Sequence, residues 1–115
     1  MALFQARFVQ SGTAVDFIPA TDIPAGTIVV AGDLVGVTKL DIKAGELGAL
    51  ATVGVFDVVK GDGVSLAFDY GKAVYWNAAT KKVADATGAG LVLLGKAVQP
   101  GGSPADSGTV RVRIG

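Results

Sequence analysis

No cysteine and no histidine occur among the 115 residues of this chain. Without cysteine there is neither a disulfide framework nor a thiolate nucleophile, and the redox compartment leaves no mark on the sequence. Without histidine the commonest general base and metal ligand is missing, so Ser11, Ser65, Ser103 and Ser107 have no imidazole to activate them. An excess charge of either sign is also missing. Ten Lys and Arg balance ten Asp and Glu, and a chain with zero formal charge sets up no field that gathers nucleic acid or anionic lipid. The longest run of apolar residues and glycine, Leu47 to Phe56 interrupted by Thr52, is far short of the roughly 20 residues a membrane helix needs. The opening Met1-Ala2-Leu3-Phe4-Gln5-Ala6-Arg7 lacks a charged start followed by a long apolar stretch, so it does not read as a secretory signal, and the chain is expected to be soluble.

What is present is apolar and rich in turns. Half of the residues are hydrophobic, which with a neutral surface favours association with other protein, and the 17 glycines mark many corners and bulges. A chain of this length buries roughly 65% of the surface exposed by its unfolded form, enough for one core. The clearest feature is a motif used twice, Asp22-Ile23-Pro24-Ala25-Gly26 and Asp41-Ile42-Lys43-Ala44-Gly45, with starts 19 residues apart. Each copy precedes an apolar run with Val-Gly-Val, at 35–37 and 53–55. Pro24 is expected to preset the backbone of a tight turn.

The rest of the chain reads as short strands. Residues 3 to 9 alternate, with Phe4, Ala6 and Phe8 on one face. Ile28 to Val30 and Leu34 to Val37 read as two strands joined at Gly32-Asp33, and Leu47 to Val59 as a stretch buried on both faces. Lys60-Gly61-Asp62-Gly63 is the strongest turn signal. Lys72 to Trp76 is dense in aromatic and β-branched residues, and residues 77 to 86 admit a short helix. Thr109 to Ile114 closes the chain with Val110, Val112 and Ile114 inward and Arg111 and Arg113 outward. The expectation is an all-β fold, a small glycine-rich barrel or sandwich in one domain over 1–115, with residues 1–18 as an N-terminal arm or strand.

No motif supplies chemistry. Gly90 to Ala97 has the spacing of a phosphate loop, but Ala97 stands where a magnesium-binding hydroxyl belongs, and Leu91-Val92-Leu93-Leu94 is an apolar strand rather than an exposed cradle. Asp57, Asp62 and Asp69 are close in sequence but lack the register of a calcium loop. Lys39, Lys43, Lys60, Lys72 and Lys96 are scattered, as edge-strand gatekeepers are, and leave no basic stripe interleaved with aromatics for an oligonucleotide. No catalytic residue, cofactor or metal is expected. Tyr75 and Trp76 are candidates for the core or for a subunit-interface anchor, and the first strand, with Phe4 and Phe8 on one face, for addition to a neighbour's sheet.

Taken in order, Phe8-Val9-Gln10-Ser11-Gly12, Gly32-Asp33-Leu34-Val35-Gly36-Val37, Gly54 to Lys60, Val74-Tyr75-Trp76-Asn77 and Val110 to Ile114 resemble a family of small tailed-phage proteins. Members are often labelled as a RecA/RadA-type phage recombinase or left without an assigned function, and some resemble capsid decoration (cement) proteins. The recombinase label conflicts with the residues, since neither an ATP site nor a DNA-binding surface is readable. The resemblance to decoration proteins implies a β-rich homotrimer on the outer capsid surface of the virion, made in the host cytoplasm. It also implies that the N-terminal arm, with Phe4, Arg7 and Phe8, contacts the major capsid protein, with no nucleic acid or membrane as partner. Two alternatives remain at this point: a nucleotide-dependent recombination protein relying on Lys96, and a small β adaptor of the head–tail connector or tail.

Overall fold

The computed structural model describes Gln5 and residues 12–115. Where apolar and polar residues alternate most strictly, the backbone is extended and one face is buried. Nine strands form among the described residues: β1 (Ala14–Phe17), β2 (Ile28–Ala31), β3 (Leu34–Thr38), β4 (Gly48–Ala51), β5 (Gly54–Val59), β6 (Ala73–Asn77), β7 (Lys82–Ala84), β8 (Leu91–Ala97) and β9 (Thr109–Ile114). They build two antiparallel sheets, ordered β1-β4-β3-β2 and β5-β9-β8-β6-β7. The chain crosses from the first sheet to the second between β4 and β5. No helix occurs among the described residues, and the all-β expectation takes the form of a sandwich.

The second sheet supplies most of the core. Val58, Phe68, Val74, Trp76, Leu94, Val110, Val112 and Ile114 are buried together, and Val37 of β3 joins them from the first sheet. Ile28, Val30 and Val35 of the β2–β3 hairpin pack against this cluster and cover it. At about 25 cal/mol per Å² of apolar surface removed from water, each such side chain contributes roughly 1.5–3 kcal/mol. Gly95 marks a close approach inside the second sheet, since a Cβ there would run into the Arg113 carbonyl oxygen. Only glycine fits at that crossing.

The repeated motif holds the first sheet by bonding to itself. Ile23 and Ile42 pair across the molecule, each N–H donating to the other's carbonyl at 2.8 Å. The Asp22 carboxylate accepts the N–H of Ala44 at 2.8 Å, and the Asp41 carboxylate accepts the N–H of Ala25 at 2.7 Å. Each aspartate therefore fastens the turn of the other copy. Gly26 and Gly45 end these turns at φ 82° and 77°, a conformation that residues with a Cβ rarely adopt. Pro24 opens its turn, with Ala25 and Gly26 as the central pair, so the turn depends on Gly26 in the left-handed region rather than on a proline at the first central position. The second half repeats the arrangement without the sequence: Phe68 and Ser103 exchange N–H···O bonds of 2.9 and 2.8 Å.

Two other expectations are corrected. Residues 77 to 86 form the β6–β7 hairpin, because the Asn77 side-chain oxygen accepts the N–H groups of Ala79 and Thr80, and Lys81 takes φ 57°, which ends the single helical turn. Leu47 to Val59 is not buried on both faces: the two Val-Gly-Val copies are not equivalent, since 53–55 lies at the passage between sheets and Leu47, Val53, Val55 and Val59 are exposed.

Candidate interaction surfaces

Residues that resembled catalytic or binding signals turn out to be structural. Gly90–Ala97 is occupied by β8, an inner strand of its sheet with Ala97 fully buried, so no phosphate-binding loop exists there. Ser103 is buried and donates its hydroxyl to the Thr109 carbonyl at 2.8 Å, and Ser107 donates to the same oxygen at 3.1 Å. Asp57 pairs with Arg111 across β5 and β9 at 3.0 Å on the exposed face. Among the described residues no cluster of acidic side chains is arranged to hold a metal ion.

Lys60 is not a gatekeeper. It is completely buried, and its ammonium donates to the carbonyls of Leu66 at 2.7 Å and Pro104 at 2.9 Å while lying 5.7 Å from the centre of the Phe68 ring. Burial pushes its pKa below the ordinary lysine value, an effect partly offset by the Asp106 carboxylate. One side chain thus ties the 61–66 loop to the loop ahead of β9. The alternation of Phe56, Val58 and Lys60 along one face was the sequence signal for this inward position. Lys96 also departs from the gatekeeper reading, since β8 is flanked by β9 and β6.

Tyr75 and Trp76 separate onto opposite faces of β6. Trp76 is buried in the core; Tyr75 is half-buried opposite Leu93 and Ala84 on the outer face. Phe4, Arg7 and Phe8 lie outside the described residues.

Three surfaces among the described residues combine concave or flat relief with apolar side chains. A groove of about 580 Å³ runs between the start of β2 and the edge of β5, with Ile28, Val37, Phe56 and Trp76 in its lining. A hollow of about 330 Å³ lies over β4, floored by Ala14, Ala49 and Ala51 and walled by Leu40, Ile42 and Leu47. Ala51 is opposite Val37, so the floor is a continuation of the face that packs on the core. Leu40 and Leu47 stand 78% and 67% exposed beside it, a commitment of apolar surface that suits a protein partner. The outer face of the second sheet is the third surface, with Val55, Val59 and Leu93 exposed among Arg111, Arg113 and Lys96.

Residues 9–114, nearly the whole chain, match the family described as phage cement protein. No curated protein and no solved structure matches the chain. The chain belongs to the phage cement protein family, and its role is capsid-associated.

Proposed function

We propose that this member of the phage cement family binds the outer surface of the expanded head through the major capsid protein and stabilises the shell. The family match over nearly the whole chain carries this reading. The exposed Leu40, Leu47, Val55, Val59 and Leu93 support it, since they present apolar surface without an accompanying reaction centre. The protein acts as a structural component rather than as an enzyme, and its working form is a homotrimer built from one β body per copy.

The mechanism is mechanical. A protein that binds the assembled, expanded shell and not its dissociated or unexpanded form stabilises that state by mass action. Many copies bridging neighbouring capsomers add their contacts on one closed surface, and the resulting avidity resists the pressure of packaged DNA. The segment ahead of β1, with Phe4, Arg7 and Phe8, adds a strand to a sheet of the capsid protein. Deleting residues 1–10 is expected to abolish shell binding while the body still unfolds at the same temperature. Undiminished binding by that truncation would remove the arm from the mechanism.

A further inference from the structure

The two halves of the molecule carry opposite net charge. Over residues 12–52, five carboxylates (Asp16, Asp22, Asp33, Asp41, Glu46) face two lysines, whereas residues 53–115 hold seven cationic side chains against five carboxylates. Part of the imbalance falls at two surfaces. The hollow over β4 has an apolar floor of small side chains, Asp41 and Glu46 in its lining against the single Lys39, and Asp16 directly across the strands from Ala49. The outer face of the second sheet has the opposite character. Lys96 lies directly opposite Arg113, which in turn lies opposite Val55. Like charges in facing positions of a sheet are unfavourable. Among the described residues the one side-chain ion pair is Arg111 with Asp57; Arg113 donates to the Gly115 oxygen at 3.4 Å, and Lys96 has no carboxylate partner. Val55 and Leu93 project from this face at 57% and 50% exposure.

We infer that these two surfaces dock on each other between copies of this chain: the apolar, cation-bearing face of the second sheet covers the carboxylate-bearing hollow of the next copy's first sheet. The inference rests on the oligomeric reading above and names the faces that meet. Because the two surfaces differ, the contact is heterologous, and such contacts close into rings when their rotation permits. The carboxylates of the hollow relieve the Lys96–Arg113 repulsion, and the protruding apolar side chains fill space that Ala14, Ala49 and Ala51 leave open. Asp22 and Asp41 are already engaged in the turns of the first sheet, which leaves Asp16 and Glu46 as the acidic partners to test.

The full chain is examined by analytical ultracentrifugation over a range of concentrations and salt. Wild type is expected to associate, with affinity falling as salt rises from about 0.05 to about 0.5 M. Reversing either face alone, by Lys96→Glu with Arg113→Glu or by Asp16→Lys with Glu46→Lys, should weaken self-association at least about tenfold. Combining all four substitutions should restore it. A monomeric wild type, association indifferent to a one-sided reversal, or a folded fourfold variant that stays dissociated would each overturn the inference. If a variant fails to fold, salt-independent association of the wild type overturns it instead. Loss on reversing the hollow without loss on reversing the second-sheet face would assign that hollow to another occupant, such as the chain's own N-terminal segment, and would equally refute the docking. Binding to shells is measured separately on the same samples: a wild type that binds shells as a monomer refutes the docking and the homotrimer but not the capsid reading, and a ring that ignores shells refutes only the capsid reading.

Discussion

The two sheets are held together by different means. The second is held by mass: a continuous cluster from Val58 to Ile114 is buried, and Lys60 ties two loops across its end. The first is held by hydrogen bonds between two copies of one motif, and part of its inner face ends in the open hollow over Ala49 and Ala51. Under the proposed role the two serve different ends. A rigid body transmits load, and an apolar surface left uncovered in the free protein gives a partner something to bury.

That contrast is broken most severely in the second sheet. Replacing the fully buried Phe68 by alanine is expected to cost about 3–5 kcal/mol, read by chemical denaturation, and it also removes the ring beside Lys60. Lys60→Met comes next, with a loss of about 2 kcal/mol, because the carbonyls of Leu66 and Pro104 lose their buried donor. This substitution also sharpens the comparison through pH. The folded protein holds the Lys60 proton less tightly than the unfolded chain does, so the charged form is penalised below the depressed pKa. The penalty fades as pH rises toward the ordinary lysine value. The stability of wild type relative to Lys60→Met should therefore increase with pH in the alkaline range just below 10.5.

The first sheet should respond more mildly and symmetrically. Asp22→Ala and Asp41→Ala each remove one carboxylate from the turn of the opposite copy, at a cost of about 1 kcal/mol each. Hydrogen exchange should then accelerate at Ala44 for the first variant and at Ala25 for the second. Exchange that accelerates only within the mutated copy would break the reciprocal account. The smallest effect on folding is expected at Leu40, which is 78% exposed: Leu40→Ser should change stability by less than about 0.5 kcal/mol while weakening attachment to shells. Unaltered attachment would take the hollow out of the shell-binding interface.

Much of this architecture is legible in the sequence because it is local. Alternation fixes β9, the Gly32-Asp33 turn fixes the β2–β3 hairpin, and the duplicated Asp-Ile motif announces two equivalent turns. What was not legible depends on partners distant in the chain. Nothing near Asp22 indicates that its carboxylate reaches Ala44, 22 residues away. The same is true of Lys60, whose acceptor at Pro104 is 44 residues distant; its parity with Phe56 and Val58 was visible, but a lysine beside Gly61 reads first as a turn residue. Leu47 to Val59 misled because an apolar run does not reveal that the chain changes sheets at its middle, which turns Val55 and Val59 outward. The surfaces were legible only as an excess of apolar residues. Their shapes required the topology, since the hollow exists where β1 and β4 carry alanines on the core-facing side.

The most direct test of the central claim is co-sedimentation of the purified protein with expanded shells of its own phage, prepared without it. The account predicts saturable binding at a fixed ratio to the major capsid protein, no binding to unexpanded shells, and greater resistance of the decorated shells to heat. Shells that sediment without the protein at every concentration would contradict it.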